Sequence, residues 1–293
     1  MRWLALTLVC GGLLGASPDS WAAPPPASPV AALPASPAAA APAPRAAARS
    51  LAATAAEVID RNVAARGGLE AWRKVDTMVW LGHLERAARD AQHVPFVMTL
   101  RRPNLTRFEL KEQLNQFTRI FDGAHGWKMR PGADGRPETK PFSPEEVNFA
   151  RTEFVIDGPL IDCQAKGVTA ELDGIDTVDG RKAYRLSLKL PSGAERKVWI
   201  DTQTNLDVRY DRPATNPLKP GAPVSVYYRN YAAADGLQIA RSIETGVAGG
   251  SATDARDKLV IDRVLVNPKL DDGTFGPPSV PLHRGGRVRI PAT

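Results

Sequence analysis

From Thr77 onward, apolar and polar residues alternate with a period of two. That is the pattern of strands covered on one face and wet on the other. "PFVMTL" sets Phe96, Met98 and Leu100 on one side. "LTRFEL" sets Phe108 and Leu110 together, with Arg107 and Glu109 opposite. "AYRLSLKL" sets Tyr184, Leu186, Leu188 and Leu190 against Arg185, Ser187 and Lys189. "LDVRYDR" predicts Leu206, Val208 and Tyr210 on one side, and Asp207, Arg209 and Asp211 on the other. "ERKVWID", "VSVYYRNY", "LQIARSIE" and "KLVIDRVLV" continue the series. Asn104 after Pro103, Pro191-Ser192-Gly193, Thr202–Asn205 and Asp235-Gly236 punctuate it as turns. "FTRIF" and "GWKM" read as two short strands joined by "DGAHG", with Trp127 placed near the rim of whatever the sheet encloses.

Elsewhere the period changes. Thr54 and Glu57 have capping-box spacing ahead of "AAEVIDRNVAA", where Val58, Ile59 and Val63 share a face. Gly67-Gly68 stops that helix, and "LEAWRKV" adds a further turn or two. In "SPEEVNFARTEFV", Ser143 caps, Pro144 suits the first turn, and Glu145-Glu146 complement the positive helix end. Val147, Ala150 and Phe154 form one stripe, with Phe149 beside it. "MRPGADGRPETKP" before this helix and "DGPLID" after it resemble the flexible flanks of a lid. The expected fold class is mainly β (α+β): an open, strongly curved antiparallel half-barrel of about ten strands. An N-terminal helix and a lid helix cover its concave face.

The first residues stand outside this pattern. An apolar run from Trp3 to Leu14 follows Arg2, and Ser20-x-Ala22 offers a cleavage site, the layout of a secretory signal peptide over residues 1–23. Eight of the 26 prolines fall between Pro24 and Pro44, so residues 24–53 read as an Ala/Pro-rich tether that cannot bury a core. Residues 54–280 form the expected domain and 281–293 a tail. Cys163 is the only cysteine beyond the signal, which excludes an intrachain disulfide. The net charge of +6 is scattered, which argues against nucleic acid and allows transient contact with anionic membrane surfaces.

Candidate chemistry is sparse. None of His83, His93, His125 and His283 has metal-ligand spacing, and no phosphate loop, dinucleotide fingerprint or nucleophile elbow occurs. The expectation is therefore no catalysis, no cofactor and no metal. The weak enzymatic alternative is a hydrolase using Asp122, His125 or Cys163.

The order of pieces resembles a known family. "VDGRKAYRLSLKLPSGAERKVWIDTQTNLDVRYD" carries Gly180, Tyr184, Leu186, Trp199, Asp201 and Asn205-Leu206, and "VNPKLDDGTFGPP" carries Asn267, Asp271-Asp272, Phe275 and Pro278. Together with "ARGGLEAWRKVDT" and "IFDGAHGWKM", these resemble the LolA/LolB/LppX-like superfamily, in its outer membrane lipoprotein-sorting protein branch, over Ala55 to Pro278. The resemblance implies a half-pipe of antiparallel strands with a helical lid over an apolar cavity. It implies a periplasmic, non-catalytic binder or carrier of lipid or lipoprotein acyl chains. The candidate cavity residues are Phe96, Met98, Leu100, Phe108, Leu110, Phe121, Trp127, Leu186 and Leu188. The candidate lid residues are Val147, Phe149, Ala150 and Phe154. The other non-catalytic reading is an envelope sensor or scaffold that docks a protein partner on the same fold.

Overall fold

The computed structural model describes residues 53–86, 93–112, 115–132, 135–213, 223–247 and 257–278. The expected signal peptide, nearly all of the tether and the C-terminal tail lie outside the described residues. No helix among the described residues is long and apolar enough to cross a membrane.

Among the described residues, three helices and thirteen strands follow one another. The helices are α1 (Ala55–Ala65), α2 (Leu69–Arg73) and α3 (Pro144–Thr152). Six strands precede α3: β1 (Thr77–Glu85), β2 (His93–Arg101), β3 (Leu105–Glu112), β4 (Asn115–Phe121), β5 (Gly126–Pro131) and β6 (Pro137–Pro141). Seven follow it: β7 (Thr169–Val178), β8 (Arg181–Lys189), β9 (Glu195–Asp201), β10 (Asp207–Arg212), β11 (Val224–Ala234), β12 (Leu237–Val247) and β13 (Asp257–Val266).

All thirteen strands join one antiparallel sheet in the order β6-β5-β4-β3-β2-β1-β13-β12-β11-β10-β9-β8-β7. The chain starts at the centre with β1, meanders out to β6, and crosses to the opposite edge through residues 142–168. It then meanders back until β13 pairs with β1. The sheet is open, and β6 and β7 are its two edges.

One core fills the inner face. Phe96, Met98, Leu100, Phe108, Leu110, Leu186 and Leu188 belong to it, with Val58 and Ile59 from α1 and Ile156, Leu160 and Ile161 from the crossover. The alternation read from the sequence puts these residues on the covered face for a simple reason. Only that face has helices and crossover to exclude water.

The helix caps form as the spacing predicts. Thr54 and Glu57 close one capping box, and Ser143 and Glu146 close the other. Asn267, at the end of β13, accepts from the Asp76 amide at 2.8 Å and donates to the Lys74 carbonyl at 2.9 Å. It thereby ties the last strand to the turn before the first. Asp201 accepts from the amides of Gln203 and Thr204, both at 2.8 Å, and Asn205 takes a left-handed φ of 55°. The motif residues Asp201, Asn205 and Asn267 are thus turn-makers.

Two expectations need correction. The sheet has thirteen strands where about ten were expected. The segment read as a flexible entry to the lid is a hairpin, β5 paired with β6. Pro137 and Pro141 are tolerated there because β6 is an edge strand, where a missing backbone donor costs no ladder bond on the outer side.

Candidate functional site

A cavity of about 140 Å³ lies between the crossover and the inner face of the sheet. Its roof is crossover residues 154–160, including Phe154, Val155, Ile156, Pro159 and Leu160. Its floor is Met78 and Trp80 of β1, Val198 of β9, Tyr210 of β10, Tyr228 and Tyr231 of β11, and Ile239, Ala240 and Ile243 of β12. Trp72 closes one side. Alternation alone would put Tyr228 and Tyr231 on opposite faces. Between them Asn230 takes a left-handed φ of 55°, and both rings line the cavity. Burial holds the hydroxyl protons of Tyr210, Tyr228 and Tyr231 far above the ordinary range, so all three line the cavity uncharged.

One end of the cavity is polar. Arg66 stands 3.5 Å from Asp207, and both side chains are nearly buried. The sequence alternation placed Asp207 outside and Val208 inside; the structure reverses this. A register shift between Asp207 and Arg209 breaks the period. Asp207 then lines the cavity, while Val208 packs on the outer face against the cluster of Trp199, Val178, Ala183 and Tyr227.

The crossover is fastened by charge as well as by apolar contact. The Asp157 carboxylate, 3% exposed, sits 2.7 Å from Arg102 and 2.6 Å from Lys166. Arg102 also donates to the carbonyls of Val75 and Trp72, and Lys166 to that of Gly158. Burial pulls the Lys166 ammonium below its ordinary pKa, aided by Arg102 and Arg66 and opposed by Asp157. The "DGPLID" exit is therefore packed and pinned, with Ile156, Leu160 and Ile161 in the core.

At the other end of the crossover, Glu146 of α3 is held by Lys128 at 2.7 Å and Arg119 at 3.2 Å. Burial raises its pKa, but Lys128, the Ser143 amide and Arg119 outweigh that and leave it below the ordinary value.

The sequence-derived candidates distribute unevenly. Phe96, Met98, Leu100, Phe108, Leu110, Leu186 and Leu188 lie in the packed core, and none of them lines the cavity. Phe121 is fully buried and stacks on Phe142, with ring centroids 6.4 Å apart. Trp127 pairs with Ile120, so it lies on the face opposite Phe121. Phe149 and Ala150 are buried and Val147 is half-buried on α3. Phe154 lines the cavity from beyond the helix, because α3 ends at Thr152 and Glu153 is extended. Tyr228 and Tyr231 fall in the run "VSVYYRNY" and Trp72 in the helical "LEAWRKV", but neither reading named them, or Trp80, as cavity residues. The only signal for them was large rings with one polar atom near charged neighbours.

Of the residues of the enzymatic alternative, Asp122 and His125 meet at one turn, with the imidazole 3.6 Å from the carboxylate, and Cys163 lies on the crossover. Asp122 accepts from the amides of Ala124 at 2.8 Å and His125 at 2.6 Å, as a turn-former does. His125 is exposed at the tip of the β4–β5 turn. Cys163 packs against the core from the crossover, and burial pushes its thiol pKa up.

The β1–β2 register gathers His83, Glu85 and His93, whose ligand atoms lie within 4.8 Å of one another. Lys258 already holds Glu85 at 3.0 Å, and Asp262 holds His83 at 3.1 Å. The spacing is not that of a metal site, but His83 and His93 stand on either side of an expected turn, and the β1–β2 pairing brings them together with Glu85.

No protein-family model matches the chain, and no curated protein matches it. Solved structures do. A LolA superfamily protein from Nitrosomonas europaea is 14% identical, with 76% of this chain and 98% of that one covered and a TM-score of 0.49. An outer membrane lipoprotein-sorting protein domain from Vibrio parahaemolyticus is 12% identical, with 75% and 95% covered and a TM-score of 0.48. A DUF1329 family protein from Desulfovibrio piger is 12% identical, with 74% and 95% covered and a TM-score of 0.45.

Proposed function

We propose that this chain is a non-catalytic binder or carrier of lipid or lipoprotein acyl chains, exported to the periplasm. The supporting observation is the cavity under the crossover, walled by Trp72, Met78, Trp80, Phe154, Ile239 and Ile243 with three neutral tyrosines. Apolar walls with a few polar groups at one end suit an acyl chain. At about 140 Å³ the cavity is an entry pocket. Longer chains enter when the 153–168 segment lifts from the sheet and exposes the rows of Phe96, Phe108, Leu186 and Leu188. Burial at about 25 cal/mol per Å² then holds the tail. The proposed export rests on the apolar run Trp3–Leu14 and the Ser20-x-Ala22 pattern.

Native mass spectrometry and lipid extraction of the purified protein test this reading. Co-purifying acyl lipid, or uptake of a fluorescent fatty-acid probe, is the expected result. A chain that carries none and takes up none counts against it.

A second reading is a sensor or scaffold for an envelope protein. It is favoured by the tight filling of the half-pipe, where the predicted lipid-contacting side chains already contact one another. In that case pull-down from envelope extracts yields one stoichiometric protein, and lipid probes do not bind.

A further inference from the structure

Arg212, the last residue of β10, is 4% exposed, and both of its terminal nitrogens are buried without a hydrogen-bond acceptor among the described residues. A guanidinium stays charged in any protein environment, so it must be compensated or it costs stability. The neighbouring acids are already used. Glu153 pairs with Arg196 at 3.0 Å, and Asp207 pairs with Arg66. Arg196 is also buried and donates to the Tyr210 hydroxyl at 3.1 Å. Two guanidiniums thus lie near the Phe149 ring, Arg212 at 5.1 Å and Arg196 at 5.9 Å, and of the two only Arg196 has a carboxylate partner, Glu153. The inner face at this end holds one cation in excess.

The cavity reaches the neighbours of that cation, although Arg212 is not itself a lining residue. Tyr210, two residues before Arg212 on the same face, lines it, and so does Tyr228, whose hydroxyl proton feels the Arg212 charge. An apolar space beside a desolvated, unpaired fork of N–H donors fits a ligand with one oxyanion on an apolar body.

We infer that Arg212 is the head-group site of the cavity, and that it binds the oxyanion of an amphiphile such as a long-chain fatty acid. This rests on the acyl-binding reading and adds the charge of the head. The tail lies under the crossover against Tyr210 and Tyr228, and the head takes two parallel N–H bonds from the Arg212 fork.

The test compares palmitic acid, hexadecanol and inorganic phosphate by binding titration and thermal shift on the full chain. In the wild type, palmitic acid binds at least roughly tenfold more tightly than hexadecanol, as hydrogen bonds to a charged group warrant. Phosphate alone produces no comparable shift. In Arg212→Met the acid-to-alcohol ratio collapses to about one. The ligand-free melting temperature stays level or rises, because an unpaired buried charge has been replaced by an apolar chain. Arg212→Lys keeps the charge and loses the fork, so its ratio falls between the two; it also serves if the Met variant does not fold.

Equal binding of acid and alcohol by the wild type overturns the head-group assignment and leaves acyl binding standing. So does an unchanged ratio in both variants. A full shift with phosphate alone overturns the amphiphile in favour of a free anion. Binding of none of the three removes both this inference and the reading beneath it.

Discussion

Asp157 and Arg102 meet at 2.7 Å, and through that contact the crossover is fixed to the turn between β2 and β3. Lys166 reaches the same carboxylate from the other side at 2.6 Å. The carboxylate is the latch of the segment that roofs the cavity. Asp157→Asn leaves two cations facing a neutral amide and should cost about 3 kcal/mol, as breaking a buried pair does. Hydrogen exchange is expected to accelerate in residues 153–168 before it does in β11–β13. Uniform acceleration across the chain would contradict the latch.

Cys163 lies within the crossover, half-buried, with its thiol pKa pushed up by burial. Alkylation at neutral pH is therefore slow. Asp157→Asn should raise the labelling rate several-fold if the crossover opens as a unit. An unchanged rate would place the opening elsewhere.

Glu146 anchors α3 to β4 and β5 through Arg119 and Lys128. Its folded pKa lies below the ordinary value of 4.5. Its contribution is thus fully present above pH 4.5 and is lost as the pH falls through the lower folded value. Glu146→Gln should destabilise the chain by about 2 kcal/mol at neutral pH. The gap between wild type and variant should narrow below pH 4.5. A gap constant down to pH 3 would show that the charge is not what holds α3.

Gly82 sits at the register shift between β1 and β13. A Cβ there would lie 2.0 Å from the Val260 carbonyl oxygen and 2.9 Å from the Phe96 ring. Because the nearer atom is backbone, it cannot swing aside. Gly82→Ala should cost about 3 kcal/mol, read by chemical denaturation. A loss under about 0.5 kcal/mol would mean that the bulge relaxes without cost.

Much of the fold was legible because local rules and tertiary context agree. The capping pairs Thr54/Glu57 and Ser143/Glu146 set their helices, and the rows of Phe96–Leu100 and Leu186–Leu190 point where alternation sends them. β5 was legible as "GWKM", but β6 was hidden because Pro137 and Pro141 read as loop, and its edge position permits them in a sheet. The cavity was the least legible part. Asp207 faces inward through a bulge and Tyr231 beside a left-handed Asn230, and neither irregularity shows in residue type. The crossover, rich in turns, looked like a hinge, yet Ile156, Leu160, Ile161 and Asp157 make it the centre of the packing.

The most direct test of the central claim is titration of a fluorescent fatty-acid probe into wild type and Ala240→Phe, which puts a ring into the cavity wall without removing any charge. Binding by the wild type, with at least tenfold weaker binding by Ala240→Phe at an unchanged circular-dichroism spectrum, is the predicted result. Equal binding by both proteins, or none by the wild type, would contradict the claim that this cavity receives acyl chains.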